Sequence, residues 1–488
     1  MNVSLTDHRP ARVGVLVTAL LTACIAFQLN ASMLSPALKS IEDSLGASSA
    51  EVGLTQTAFF TSAALFSLFL PRLGDVIGRR KVLVGMLVLM AAGCVIAALA
   101  TSVPMLFAGR IVQGFSGPVV PLCLIMLRQE VTEPKRYGTL LGVITAVNGG
   151  IAGVDSLAGG FLADEHGFQS VFWVMAVVAV LAAALAAFLT PESKVPGADR
   201  MDWPGVALLV VSVGSLLVAL NEAGKLGAAN WGLIAVLVAV SAAAFALFWR
   251  TEDRSAHPLV ATRHLRRRAT WATLLTTTLT MTGVFAVMNG LIPAFAQDAE
   301  AGLGMGAEGS AWWTLTPYAL AGLAMGPLAG RLAATHGYGR VLRIGLVGSA
   351  ASVVLMILTI PAHSKALLLV ASLLVGITYA GVANIVLNGL GIVLSPRENP
   401  GFLPGLNAGA FNLGAGLSFA VLYAVKTAVQ PADDAASATG YTSGMIAGVV
   451  ILAAALATSF LIPKPAAAEA AASAAVEPTA EAPVPARG

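Results

Sequence analysis

The stretch Leu73-Gly74-Asp75-Val76-Ile77-Gly78-Arg79-Arg80-Lys81 decides the fold, because it joins two apolar runs, 50–71 and 81–100, through a turn that carries charge. Gly74 and Gly78 permit a tight connection between helices, and Asp75 can accept bonds from a nearby helix N-terminus or from Arg79. Arg79, Arg80 and Lys81 mark one side of a membrane. Each flanking run is long enough to cross roughly 30 Å of hydrocarbon at about 1.5 Å per residue.

Outward from this turn the same pattern recurs along the chain. Of its 488 residues 57% are hydrophobic and only 11% charged, and the mean hydropathy is +0.83, so lipid is the solvent for most of it. The predicted spans are 12–34, 50–71, 81–100, 103–127, 137–160, 168–189, 203–222, 229–249, 269–296, 310–330, 341–361, 365–394, 402–426 and 441–462. The first exceeds a secretory h-region and is followed by more spans, so it is read as a retained helix. Ser48 with Glu51 forms a capping box at the second span, and Trp203-Pro204 opens the seventh. Cys24, Cys94 and Cys123 lie inside spans without metal-ligand spacing and are read as small apolar side chains.

Charge orients the spans. With the N-terminus inside, the cytoplasmic segments hold most of the 28 Lys and Arg residues, among them Arg72, Arg128, Lys135, Arg136, Lys194, Arg200, Arg250, Arg254, Arg331, Arg340 and Arg343. External loops carry Asp164, Glu165, Asp298, Glu300, Glu308, Asp433 and Asp434. The expected location is the inner (plasma) membrane, multi-pass, with both termini cytoplasmic. The basic loop from Arg250 to Arg268 is read as a membrane-surface anchor and not as a nucleic-acid patch. Residues 463–488, rich in Ala, Pro and Glu, read as a disordered tail.

A repeat appears when Arg72-Leu73-Gly74-Asp75-Val76-Ile77-Gly78 is laid over Arg331-Leu332-Ala333-Ala334-Thr335-His336-Gly337. Lys81-Val82-Leu83 then matches Arg340-Val341-Leu342 in the same register. The implied organisation is a terminus at 1–11, a six-helix bundle at 12–190, and a linker with two extra helices at 191–268. A second six-helix bundle at 269–462 and the tail at 463–488 complete it.

The signature turn resembles the loop between the second and third helices of the major facilitator superfamily. Arg110-Ile111-Val112-Gln113-Gly114-Phe115-Ser116-Gly117 resembles a second motif of that family, on its fourth helix. With the inserted pair, the chain is most similar to the drug:proton antiporters with about fourteen transmembrane helices. The resemblance implies an all-α fold of two six-helix bundles plus two inserted helices. It also implies that Gly74, Asp75, Gly78, Arg79 and Arg80 form a gating latch that closes the cytoplasmic ends in the outward-open state. A solvated loop that only sets topology is the alternative. Two positions depart from the pattern: Asn30 stands where such antiporters carry an Asp, and Asp155-Ser156 stands where they carry Gly-Pro.

Arg110 within a span must face the protein interior, and Asp155 is the one carboxylate placed deep in a span. The two are expected to meet, with Asp155 as the proton carrier; a static ion pair is the other reading. Glycines 114, 117, 149, 150, 153, 159 and 160 are read as packing positions. An amide at membrane depth needs partners that lipid cannot offer. Gln28, Asn30, Gln56, Asn148, Asn289, Asn384, Asn388, Asn407 and Asn412 are therefore candidate cavity residues, with Phe27, Phe59, Phe60, Phe285 and Phe411 as apolar walls. Thr276, Thr277, Thr278, Thr280 and Thr282 are read as bonding back to their own helix.

Few buried charges and many apolar and amide groups favour an uncharged or amphipathic organic substrate. The leading expectation is a monomeric, proton-coupled exporter of a hydrophobic compound or drug, a multidrug-efflux and antibiotic-resistance function. Proton-coupled uptake of a polar metabolite is the alternative, with a non-transporting membrane sensor behind it. No cofactor or metal is expected, since the six His residues share no ligand spacing. Enzymatic activity is not expected, nor is ATP-driven pumping, as no G-x-x-x-x-G-K-[ST] loop is present.

Overall fold

The computed structural model describes residues 10–131, 133–194, 201–223, 229–255, 262–396, 401–430 and 437–464, and these are helical throughout, joined by short turns. The first half comprises α1 (Pro10–Ser32), α2 (Leu38–Leu45), α3 (Ser49–Ile77), α4 (Arg79–Ala98), α5 (Val103–Gln113), α6 (Val119–Glu130), α7 (Pro134–His166) and α8 (Phe168–Leu189). There follow α9 (Trp203–Ala223), α10 (Trp231–Arg254) and the short α11 (Thr262–Leu265). The second half comprises α12 (Arg268–Ala286), α13 (Ile292–Gln297), α14 (Ala307–Trp313), α15 (Leu315–His336) and α16 (Tyr338–Ala362). It ends with α17 (Lys365–Val375), α18 (Asn384–Val393), α19 (Phe402–Val429) and α20 (Thr439–Ser459).

Local chemistry sets several of these boundaries. At α3 the Ser48 hydroxyl accepts from the Glu51 N–H, and the Glu51 carboxylate accepts the Ser48 N–H at 2.9 Å, which satisfies two orphan donors. Asn230 and Ser364 cap α10 and α17 with a single bond each, accepting the N–H of Leu233 and of Leu367. The two turns matched by the sequence repeat both pivot on a left-handed glycine, Gly78 at φ 118° and Gly337 at φ 91°.

Two helices are widened by π turns, over Val287–Leu291 between α12 and α13 and over Gly376–Ala383 between α17 and α18. A 3₁₀ turn at Gly114–Ser116 separates α5 from α6. Such irregular turns shift backbone carbonyls off their ordinary partners and recur at functional sites.

Within the first half, α1 packs on α6, α7 and α8, and α4 on α5 and α8. Within the second, α12 packs on α19 and α20, and α16 on α17 and α20. The halves meet along two seams, α3 against α19 and α7 against α15. α9 and α10 pack on each other, joined by the Ser212 and Ser241 hydroxyls, each donating to the other's backbone carbonyl, and α9 also lies on α3.

Among the described residues, 12 helices are long and apolar enough to cross a membrane. This is fewer than the sequence reading expects. The helices at the fifth and tenth expected positions, α7 and α15, are formed but do not stand among the twelve. α15 is diluted by Thr316, Pro317, Tyr318 and several glycines, and it spends one side on α7 and another on the π turn at 376–383. A helix flanked by protein needs less apolar surface than one flanked by lipid. The reading also misses α2, an amphipathic helix between the first two spans. The three cysteines are buried and free.

Candidate functional site

The seams between the halves close toward the acidic loops and open toward the basic ones. A methyl group built on Gly53 would stand 2.9 Å from the Tyr423 ring, and one on Gly416 2.8 Å from the Thr61 hydroxyl. Further along α19 a methyl on Gly409 would find its nearest neighbour at 3.8 Å, and on Gly405 nothing within 4 Å. The second seam repeats this: Gly160 abuts Ala307 and Gly153 abuts Ala319, while Gly330 meets nothing within 4 Å. The molecule is therefore a wedge whose mouth faces the basic loops.

Contacts at the acidic end cross between halves. The Asp164 carboxylate accepts the N–H groups of Ala307 and Glu308, both at 2.8 Å, capping α14 from the opposite half. Gln297 donates to the Pro36 carbonyl at 2.9 Å. Lys426, 7% exposed, donates to the Ser49 hydroxyl at 2.9 Å and lies 4.2 Å over the Tyr441 ring, whose hydroxyl donates to Asp298. These groups line a cavity of about 250 Å³ together with Thr427 and Gln430.

At the signature turn Arg79 donates to Asp75 at 2.8 Å, and its N–H reaches the Ser193 carbonyl. The Arg80 N–H donates to Glu192, whose carboxylate also lies beside the Arg80 guanidinium. Gly74 and Gly78 hold this turn, and a side chain at Gly78 would collide with Glu192. These bonds tie the turn to itself and to the segment just after α8, and none of them reaches the second half.

The centre of the first half is a buried nest around Arg110, which is 0% exposed. Its guanidinium donates to Gln113 Oε1 at 2.6 Å, to Gln56 Oε1, and to the Asn30 carbonyl at 3.4 Å, and it stacks 4.2 Å over the Phe59 ring. The Asn30 side chain donates to the Ala26 carbonyl and accepts from Cys94. Gln113 and Gln56 each turn their oxygen to the cation, leaving both amide nitrogens buried without a partner.

Asp155, 3% exposed, is held elsewhere. It accepts from the Ser32 hydroxyl at 2.6 Å and from Ser156 at 3.3 Å, while Gln28 donates to Ser32 at 2.9 Å. The expected meeting of Arg110 and Asp155 does not occur. Arg110 reaches α1 at the main-chain carbonyl of Asn30, whereas Asp155 reaches it at the Ser32 hydroxyl. Among the described residues no hydrogen bond or ion pair joins the two charges.

In the second half the candidate amides gather without a charge. The Thr277 hydroxyl donates to Asn407 Oδ1 at 2.7 Å, Asn407 Nδ2 to Asn388 Oδ1 at 3.4 Å, and Asn388 Nδ2 to both the Asn384 carbonyl and Asn384 Oδ1. Asn289 sits on the seam, donating to the Phe285 carbonyl and accepting from Ser35 of the other half. Phe411 packs on Phe285, which meets Phe60 edge-on at 5.0 Å across the halves. Asn412 is buried. The side chains of Asn148, Gly149 and Gly150 lie outside the described residues.

Four residues escaped the sequence reading. Thr276, Thr280 and Thr282 bond back to their own helix as expected, but Thr277 joins the amide chain and Thr278 donates to the Ala410 carbonyl of α19, a correction to the role assigned to both. Ser32 gave no signal beyond a hydroxyl in an apolar run. Lys426 could have been found, since a lysine near the end of a span must reach a partner or the interface.

Residues 20–419 match the family model described as Major Facilitator Superfamily. Over 414 residues, 84% of this chain and 86% of the relative, the sequence is 55% identical to a uridine/deoxyuridine transporter of Lactococcus lactis subsp. cremoris. It is 26% identical over 350 residues, 69% of this chain and 62% of the relative, to a multidrug resistance protein B homolog of Mycobacterium tuberculosis. Among solved structures, that of the nucleoside transporter NupG superposes with a TM-score of 0.60 at 13% identity, covering 92% of this chain and 100% of that chain. At that identity the likeness concerns the fold alone.

Proposed function

Because this chain belongs to the major facilitator superfamily, we propose that it carries a pyrimidine nucleoside of the uridine type across the membrane by alternating access. The observation that carries this reading is 55% identity, over 84% of the chain, to a uridine/deoxyuridine transporter. Drug-resistance relatives match at 26%. Export of a hydrophobic compound, the leading expectation from sequence, is therefore set aside in favour of its alternative, uptake of a polar metabolite. The amide-lined, charge-free centre of the second half suits a neutral, hydrogen-bonding solute.

In this proposal the chain crosses the inner membrane about fourteen times, α7 and α15 supplying the crossings beyond the twelve and α9–α10 an inserted pair. Both termini are cytoplasmic, so the wedge opens inward, and the protein works as a monomer. Asp155 carries the coupled proton: a carboxylic acid that keeps its Ser32 bond whether or not it is ionised can load and unload as the halves rock. Arg110 serves as the fixed cation of the first half, organising its amides.

Uptake of labelled uridine into vesicles holding the purified protein tests this. Accumulation should follow an imposed pH gradient, acid outside, and collapse with a protonophore. Absence of uridine flux in vesicles that still expel an amphipathic dye would reverse the assignment.

A further inference from the structure

The amide chain Thr277, Asn407, Asn388 and Asn384 has a direction. The Asn388 Nδ2 lies 3.0 Å from the Asn384 backbone carbonyl, one turn earlier on the same helix. A carbonyl accepts and never donates, so this contact fixes which end of the Asn388 amide is nitrogen. Its oxygen must then accept from Asn407 Nδ2, and the Asn407 oxygen from the Thr277 hydroxyl. The second bond of Asn388, at 3.2 Å, takes the Asn384 oxygen. Every amide oxygen in the chain thereby accepts one bond from within it. What remains at its end is the Asn384 NH₂ group, a donor with no acceptor among the described residues.

That donor faces the mouth of the wedge. On α18, Gly391 abuts Asn407 and Pro404 of α19, Ile385 abuts Gly326 of α15, and Gly389 abuts Tyr338 of α16. Asn384 and Asn388 point between the first two contacts, and Asn388 is exposed. α15 and α19 are the helices that meet the opposite half, so the sector between them is the space between the halves. The π turn at Gly376–Ala383 ends immediately before Asn384.

We propose that this donor-terminated amide chain is the element that selects the base, by donating to the 4-carbonyl of a uracil and rejecting the 4-amino group of a cytosine. This rests on the nucleoside reading and sharpens it. At ring position four uracil offers an acceptor and cytosine a donor. Two donors brought together leave both unsatisfied, a mismatch worth at least about tenfold in selectivity. Asn384 alone would turn over to suit either base. Asn388, held by a backbone carbonyl, prevents it.

The test is competition of unlabelled uridine and cytidine against labelled uridine in vesicles of the full chain, for wild type, Asn384→Asp and Asn384→Ser. Wild type should prefer uridine by at least about tenfold. Asn384→Asp replaces the donor with an acceptor of the same shape and should lower that preference tenfold or more. Asn384→Ser, whose hydroxyl both donates and accepts, should accept the two bases nearly equally and covers the case in which the charged variant does not fold. Wild-type uridine flux with an unchanged uridine-to-cytidine ratio in both variants would overturn the base-selecting role and leave the nucleoside reading intact. Wild type that carries no nucleoside would overturn both.

Discussion

At Gly78 the first half turns Arg79 onto Asp75 at 2.8 Å and sets Arg80 beside Glu192, whereas at Gly337 a turn of the same left-handed kind has Ala334 in the place of Asp75 and directs Arg343 onto the Phe460 ring. The divergence continues inward. The first half buries a guanidinium among two glutamines and an acid between two serines; the second buries asparagines and a threonine beside π turns, with no ionised group beside them among the described residues. Two copies of one backbone plan have kept their shape and exchanged their chemistry. Charge responds to a proton and amides respond to the shape and polarity of a solute, so in the proposed function energising falls to one half and recognition to the other.

The largest break in that comparison should come from Arg110→Ala. Removing a fully buried cation leaves the oxygens of Gln56 and Gln113 without donors, at about 1–3 kcal/mol each, so folded yield and flux should both collapse. Arg110→Lys should recover yield poorly, since a point charge cannot feed both oxygens in one plane. Size-exclusion yield alongside uridine uptake reads both. If Arg110→Ala were stable and active, the first half would not depend on its charge.

Asp155→Asn should be next in effect. The amide keeps a bond to Ser32 but cannot release a proton, so uphill accumulation should vanish while uridine exchange at equal concentrations persists. Counterflow measured with and without a pH gradient separates the two; accumulation that survives would move the coupling elsewhere.

A smaller change is expected from Asp164→Ala, which deletes a two-pronged cap on α14. Loss of a cap costs roughly 1 kcal/mol, or about fivefold in the balance between the two openings. A reporter cysteine at Ser49 should label faster from the acidic side by that factor, the native thiols being buried. Smallest of all, Asp75→Asn should slow exchange by a few fold without altering the uridine-to-cytidine ratio, because the signature turn lies outside the amide chain. A changed ratio would mean that the halves do not divide their tasks.

The signature turn, the capping box at Ser48, the repeat and the burial of Arg110 and Asp155 were all legible, because each depends on residues close together in sequence or on the cost of charge in lipid. What was illegible depends on encounters between distant segments. Ser32 and Asp155 are separated by 123 positions, Ser49 and Lys426 by 377. A hydroxyl in an apolar helix ordinarily bonds back to its own turn, so nothing in the run around Ser32 or Thr277 distinguished them from their neighbours. Arg110 and Asp155 were paired in expectation by depth alone; in the fold each finds other partners, glutamines for the cation and serines for the acid. α7 and α15, which face each other across a seam, are formed where spans were expected and stand outside the twelve long apolar helices for a related reason, since a helix flanked by protein carries less hydropathy.

α9 lies on α3, the helix that ends in the signature turn, and α10 lies on α9 with Trp231, Val236, Phe245 and Leu247 turned outward. Whatever tilts α3 therefore drags a broad fin through the surrounding acyl chains. Turnover inherits a friction set by the lipid, so stiffening the bilayer should slow the cycle even when every residue that touches solute or proton is left alone.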